Sequence, residues 1–116
     1  MATENIIYNK SYSFASDIVK CYKYLQSVRE FNLSNQLERS GTAIGALVRE
    51  AEFGQSKADF INKMYIALKE ANETQYWLYL LHDNNYIPEE MFQSLIGQAR
   101  ELTSILVAIV RSSKKG

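Results

Sequence analysis

The sequence predicts an all-α protein: a single domain over residues 1–116 that folds as an up-down-up-down antiparallel four-helix bundle. The chain of 116 residues has only one proline and five glycines, which favours long helices over the many turns of a β architecture. Hydrophobic residues make up 47% of the chain, enough to form a core. They recur with the 3.6-residue period of a helix face in four segments that short breaks separate.

The first two predicted helices cover residues 13–29 and 35–53, and each carries apolar residues along one face. Ser34 directly precedes the second helix, and its hydroxyl is expected to cap that helix. Gly54 follows the helix and is expected to end it in a left-handed conformation, which costs glycine little.

The third predicted helix covers residues 57–83. Ser56 precedes it and Asp59 stands three residues further on, a spacing that approximates a capping box. The fourth helix covers residues 88–111, with Pro88 in its first turn, where proline is well tolerated. The short connections between the four helices place successive helices antiparallel.

No residue pattern in the sequence predicts a catalytic, cofactor or metal site. His82 is the only histidine, so neither the paired Glu-x-x-His motifs of a di-iron bundle nor a proton relay with a second histidine can form. Its place near the end of helix three favours a role at that helix terminus. Cys21 is the only cysteine; it excludes an internal disulfide, and its place beside the apolar face predicts a buried, inert thiol. We therefore expect no cofactor and no enzymatic activity.

The charge balance argues against a dedicated nucleic-acid-binding domain. Lysine plus arginine and aspartate plus glutamate each number 13, so the formal net charge is +0, whereas such domains usually carry a basic excess. A local basic patch stays open, and its candidate residues are Lys20, Lys23, Arg39 and Arg49.

No membrane association is expected. The most apolar stretch covers residues 102–110, whereas a membrane-spanning helix needs about 20 residues. The N-terminus has no charged region followed by an apolar run, the pattern of a signal peptide. We therefore expect a cytoplasmic location.

Two features predict self-association. Gly41 and Gly45 form a G-x-x-x-G step in helix two, a smooth strip that lets another helix approach, from the same chain or from a second copy. Helix three carries more large residues than one core face can bury, and large aromatics outside a monomer core are typical of interfaces. The surplus residues are Ile61, Tyr65, Tyr76, Trp77, Tyr79 and Leu80. A partner protein, or rings that are partly buried with their hydroxyls in water, would give the same pattern.

Two stretches resemble a known family. The run QLERS at 36–40, followed by residues 43–44 and 50, resembles the helix-two signature of the four-helix-bundle proteins encoded in intervening sequences of bacterial 23S ribosomal RNA genes. Phe60 and the run IALKEANET at 66–74 resemble the helix-three signature of that family. The resemblance covers almost the whole chain. It departs in helix two, where Leu47 and Ala51 stand at positions that are usually asparagine and glycine.

The resemblance implies a small bacterial protein that assembles as a barrel-like homopentamer. It extends to the accessory protein of diversity-generating retroelements, which has the same fold, binds nucleic acid and partners a reverse transcriptase. RNA and a reverse-transcriptase-type protein are therefore the partner classes that the resemblance implies, and it implies no catalytic residues. Two hypotheses follow: a non-enzymatic, self-associating scaffold or accessory protein for RNA, or a protein-interaction module with no nucleic-acid role.

Overall fold

The computed structural model describes the backbone of residues 2–115 and the side chains of residues 6–114. Within that part of the chain there are four helices: α1 (Ala2–Ser27), α2 (Asn32–Glu52), α3 (Lys57–Asp83) and α4 (Glu89–Lys115). Each helix packs against the next, α4 packs against α1, and the diagonal pairs of described helices do not meet. The predicted all-α, up-down-up-down bundle is confirmed.

The prediction that the first helix begins at residue 13 is wrong, because α1 begins at Ala2. The run 9–13 looks polar in the sequence, yet Ser11 lies in the core with 1% of its surface exposed. Its hydroxyl donates a hydrogen bond to the carbonyl oxygen of Tyr8 at 3.1 Å, which satisfies the buried polar group. The core face therefore continues through Ser11 to Ile7, which is fully buried.

The predicted end of the first helix at residue 29 is also too late. α1 ends at Ser27, and Arg29 adopts a left-handed conformation with φ of 66°. The N–H of Glu30 then donates to the carbonyl oxygen of Leu25 at 2.9 Å, the long bond that closes a Schellman motif. Asn85 has the same left-handed conformation after α3, so two helices end in this way.

Ser34 does not cap α2 from outside as predicted. α2 begins at Asn32 rather than at residue 35, and Ser34 is buried in its first turn. Glu30 acts as the cap instead: its Oε1 accepts the N–H of Ser34 at 2.7 Å, and its carbonyl oxygen accepts the Ser34 hydroxyl at 2.7 Å. Gln26 Nε2 donates to Ser34 Oγ at 2.9 Å, which ties the end of α1 to the start of α2.

The turn between α2 and α3 needs glycine for space rather than for conformation. α2 ends at Glu52, one residue before the predicted end, and Gly54 is not left-handed, since no described glycine has a positive φ. A Cβ at Gly54 would lie 3.1 Å from the carbonyl oxygen of Ala51 and 3.1 Å from Asp59 Oδ2. Ser56 caps α3 as predicted, because its Oγ accepts the N–H of Asp59 at 3.1 Å.

α3 and α4 are the longest helices. α3 spans Lys57–Asp83, the same range as the sequence prediction, whereas α4 spans Glu89–Lys115 and passes the predicted end at residue 111. The last turn of α4 makes a contact that periodicity does not show: the Nζ of Lys114 lies 5.7 Å from the centroid of the Tyr65 ring. This cation–π contact supports the extra turn.

A buried polar pair joins α2 to α3 inside the apolar core. The hydroxyl oxygens of Ser40 and Thr74 lie 3.0 Å apart in a hydrogen bond, and both residues are fully buried. Sliding one helix along the other would leave these groups unpaired, at a cost of about 1–3 kcal/mol. The pair therefore favours one register of α2 against α3.

The two glycines of α2 let α1 come close. A Cβ at Gly41 would lie 2.9 Å from Ile18 Cγ1, and a Cβ at Gly45 would lie 3.3 Å from the carbonyl oxygen of Ser11. Both neighbours belong to α1. The close helix contact that the sequence left open is therefore formed within the chain.

Alanine at Gly41 and alanine at Gly97 should have opposite effects on stability. Ile18 is fully buried and stiff at its branched Cβ, so Gly41→Ala should lower the free energy of unfolding by about 1 kcal/mol or more despite its better helix propensity. Gly97 has no atom within 4 Å of an added Cβ, so Gly97→Ala should raise it by up to about 1 kcal/mol. Urea denaturation followed by circular dichroism measures both, and equal stabilisation by the two variants would contradict the close contact.

Candidate functional site

Exposed tyrosines form a ridge on α3. We define the α3 ridge as Tyr65, Tyr76 and Tyr79, which are 48%, 57% and 36% exposed. Their spacing places them on one side of the helix. Ile61 is partly buried and lies four residues before Tyr65, on the same side. The structure therefore brings four of the seven predicted interface residues to one face.

The ridge lies on the side of α3 that faces α4. Arg100 of α4 donates a hydrogen bond to the Tyr79 hydroxyl, and its guanidinium carbon lies 5.7 Å from the centroid of that ring. Lys114 makes the corresponding contact with Tyr65. These two tyrosines thus each contact a cation of α4. Tyr76 instead contacts another aromatic residue, Trp77, with a centroid separation of 5.0 Å.

Trp77 lies on the other side of α3, towards α2. Its Nε1 donates to Glu73 Oε2 at 3.0 Å, and Glu73 also accepts a hydrogen bond from Arg39 of α2. Arg39 Nη1 lies 3.4 Å from Glu70 Oε1 as well. The partly buried indole therefore has its polar group satisfied within the chain and is not part of the ridge.

A groove lies between α1 and α2 on the outside of the bundle. We define the α1–α2 groove by the residues that line its space of about 290 Å³: Tyr8, Ser11, Tyr12, Ala15, Thr42, Gly45, Ala46 and Arg49. The small side chains of Ala15 and Ala46, with Gly45 between the helices, keep the groove open. In the bundle the pair α1–α2 lies opposite the pair α3–α4, because each helix contacts only the next one and α4 contacts α1. The α1–α2 groove and the α3 ridge, which is on the α4 side of α3, are therefore on opposite sides of the bundle.

Sequence reasoning missed two exposed aromatic residues near this groove. Tyr12 is 70% exposed and Phe53 is 78% exposed. Tyr12 was placed before the first predicted helix, so its face could not be assigned; once Ser11 is known to be buried, the next residue must point away from the core. Phe53 is the C-cap residue that directly follows α2. The helical period does not extend to it and so does not predict its exposure.

The predicted interface residues thus separate into three places. Gly41 is buried against α1 and is not available to a second copy. Gly45 lies in the α1–α2 groove. The remaining predicted residues are on α3, with Trp77 on the flank that faces α2.

The four basic candidates for nucleic-acid binding are not gathered into one patch. Arg39 points towards α3, where two carboxylates neutralise it, and the guanidinium of Arg49 lies over the Tyr8 ring of α1 at 5.3 Å. Lys20 is 77% exposed beside Asp17, with Nζ and Oδ1 3.7 Å apart. Lys23 is exposed on α1.

The groups that catalysis or metal binding would use are separated or already occupied. Both ring nitrogens of His82 contact carboxylates, those of Asp83 and Glu89. Cys21 is buried, and desolvation raises the pKa of its thiol to about 12, which suppresses the reactive thiolate. Among residues with described side chains, no group of three or more histidine, cysteine or acidic residues could hold a metal ion.

None of the four described helices contains an apolar stretch of the length that spanning a membrane requires.

Comparison with known proteins gives one family. The family model described as 23S rRNA-intervening sequence protein matches residues 3–108. The chain is also similar to a protein of unknown function from the S23 ribosomal protein family of Bacteroides thetaiotaomicron VPI-5482, known from a crystal structure. The two are 49% identical over 94% of this chain and 98% of that chain, with a TM-score of 0.91. No curated protein matches the chain.

The Cys21 thiol should resist alkylation in the native protein. With a pKa of about 12, about one thiol in 10⁴ is ionised at about pH 8, against about a quarter for an unperturbed cysteine. Iodoacetamide labelling followed by mass spectrometry should therefore be slow in buffer and fast in concentrated guanidinium chloride. Equal rates in the two solvents would show that the thiol is accessible and ionised, and would reopen a catalytic role.

Proposed function

The chain belongs to the 23S rRNA-intervening sequence protein family, and on that premise we propose that it is a non-catalytic protein that assembles with further copies of itself into a closed ring of five. The observation that carries this proposal is the pair of unlike surfaces on opposite sides of one bundle, the α3 ridge and the α1–α2 groove. The number five comes from the family resemblance.

The α3 ridge has the composition of an interface. Large tyrosine rings bury much area at a low cost in side-chain entropy, and their hydroxyls stay satisfied at a wet rim. Tyr76 is more than half exposed. Burial of apolar surface contributes about 25 cal/mol for each Å² removed from water, so covering this ridge favours association.

A closed ring requires two different surfaces on each copy. In a cyclic assembly larger than a dimer, one surface of each chain binds another surface of the next chain, whereas a two-fold dimer uses one self-complementary surface. The α1–α2 groove supplies the second surface. Its small residues Ala15, Gly45 and Ala46 leave space for a projecting ring, and exposed Tyr12 stands beside them.

The absence of an assembled catalytic group in the described side chains supports a non-catalytic role. A nucleophile needs an adjacent base to activate it, but Cys21 is buried. The only histidine is held between carboxylates at the end of α3.

RNA association is a second candidate, supported by the exposed amine of Lys20. This side chain is 77% exposed, and exposed Lys23 lies one turn further along α1. A ring would repeat both lysines in every copy and so concentrate positive charge that the net charge of one chain conceals. If RNA does not bind, the protein is an interaction module without a nucleic-acid role.

Charged residues on either proposed surface should break the ring. Tyr76→Glu on the ridge and Ala46→Arg in the groove should each reduce the mass in solution to that of smaller species, because each would bury an unpaired charge at the interface. Tyr86→Glu is the matched control: Tyr86 is a 40% exposed tyrosine in the turn before α4, away from both surfaces. Light scattering coupled to size exclusion measures all three.

Mixing the two defective variants separates a ring from a two-fold dimer. Tyr76→Glu keeps an intact groove and Ala46→Arg keeps an intact ridge, so the mixture should form heterodimers through one intact interface but no ring. Each variant alone has only one of the two intact surfaces, so it should not associate with itself. The pairing of ridge with groove would be refuted if the mixture showed no more association than either variant alone. It would also be refuted if a single variant still formed the full ring.

Lys20 should control RNA affinity if RNA is a partner. Fluorescence polarisation with a short labelled RNA across a salt series should show affinity that falls with salt, with a slope that decreases in magnitude by about 0.7–0.9 for each phosphate contact removed. Lys20→Glu should weaken binding, whereas Lys57→Glu, an exposed lysine at the start of α3, should have less effect. Absence of binding at low salt, or binding indifferent to salt, would exclude the electrostatic mechanism and leave the interaction-module role.

A further inference from the structure

The imidazole of His82 joins the end of α3 to the start of α4. Its Nε2 lies 2.8 Å from Oε1 of Glu89, in the first turn of α4. Its Nδ1 lies 3.2 Å from Oδ1 of Asp83, the last residue of α3. The side chain is 30% exposed. The histidine therefore bridges the two helices across the turn 84–88.

This geometry suits only one protonation state of the ring. A neutral imidazole carries one N–H, so in either tautomer one nitrogen lone pair would face a carboxylate oxygen at 2.8 Å or 3.2 Å. The imidazolium has two N–H groups and can donate to both carboxylates. Both contacts are hydrogen bonds only when the histidine is charged.

An aromatic platform fixes the position of the ring. The Phe92 ring of α4 stacks on His82 with a centroid separation of 3.9 Å and an interplanar angle of 18°. The Tyr79 ring of α3 also contacts Phe92, with a centroid separation of 5.6 Å. Because Phe92 is 5% exposed, its ring is held by the core and so determines where the imidazole can lie.

We propose that proton uptake by His82 locks the turn between α3 and α4. The lock acts on the short segment 84–88. In it Asn85 is left-handed, the N–H of Tyr86 donates to the carbonyl oxygen of Leu81 at 2.8 Å, and Ile87 enters the core. The neutral ring can donate to only one of the two carboxylates. It also loses the charge that attracts Glu89, the partner across the turn, so local opening becomes easier.

The charged groups around the ring all favour the imidazolium. The hydrogen bond to Glu89 and then that to Asp83 raise the pKa of His82 above its usual value of 6.5, and the hydrogen bonds from Gln93 and His82 lower the pKa of Glu89. Arg100 of α4 donates a hydrogen bond to the hydroxyl of Tyr79, the other ring that contacts Phe92.

The signs of these shifts define the pH window. The contribution of His82 is fully present below its unfolded pKa of about 6.5 and is lost as the pH rises through its higher folded value. The contribution of Glu89 is present above its unfolded pKa and is lost as the pH falls through its lower folded value. The lock is therefore strongest in weakly acidic solution, where both partners are charged.

The full chain offers a direct test, because its single histidine gives one imidazole signal in a proton NMR titration. We expect the unmodified protein to titrate above 6.5, Glu89→Gln to lower the pKa of His82, and Asp83→Asn to lower it less. Glu90→Gln is the matched control, since it removes the same charge from an exposed neighbour that has no hydrogen bond to the ring. A pKa at or below 6.5 in the unmodified protein, or an equal effect of Glu89→Gln and Glu90→Gln, would overturn the proposal.

Hydrogen exchange tests whether the proton locks the turn. After correction for the intrinsic pH dependence of exchange, the amide of Tyr86 should be better protected in weakly acidic than in weakly alkaline solution. His82→Gln keeps a polar side chain without a titrating group, and should abolish this difference. Protection at Tyr86 that does not change with pH, or that changes equally in His82→Gln, would contradict the lock even if the histidine titrates high.

Discussion

The close approach of α1 to α2 at Gly41 is the contact on which both the bundle and its proposed surface depend. Any side chain at this position would meet the buried Ile18 of α1. One turn further along α2, Gly45 comes against the backbone of Ser11. With the helices this close, the outside of the pair is a shallow groove with small residues rather than a surface covered by large side chains. The packing that stabilises one chain therefore also shapes the surface proposed to receive the next chain.

Pairing of charges within the chain explains why composition says little about a nucleic-acid role. Arg39 of α2 forms ion pairs with Glu70 and Glu73 of α3. Glu73 also accepts a hydrogen bond from the indole N–H of Trp77. These charges orient side chains on the flank of the bundle. The exposed tyrosines of the α3 ridge, by contrast, are the feature on which the proposed contact between copies depends.

Local signals in the sequence were sufficient where the structure depends on neighbours along the chain. α3 has its cap, Ser56, directly before it, and its surplus tyrosines followed from counting how many residues one face can bury. The beginning of α1 could not be predicted, because the burial of Ser11 depends on its bond to Tyr8 and on the glycine of another helix. The exposed position of Tyr12 could not be predicted for the same reason, because Tyr12 precedes the predicted start of the helix. The bridging of His82 to α4 is also a contact between elements, which no period in the sequence reveals. The cap formed by Glu30 is local, but glutamate is not among the residue types that usually cap a helix, so the sequence pointed to Ser34 instead.

The mass of the unmodified protein in solution decides whether one bundle or a ring of bundles is the working unit. Sedimentation equilibrium over a range of protein concentrations should be carried out at physiological salt. The account predicts a particle of five chains of 13.3 kDa each that exchanges with smaller species only on dilution. A mass that remains that of one chain at every concentration would contradict it.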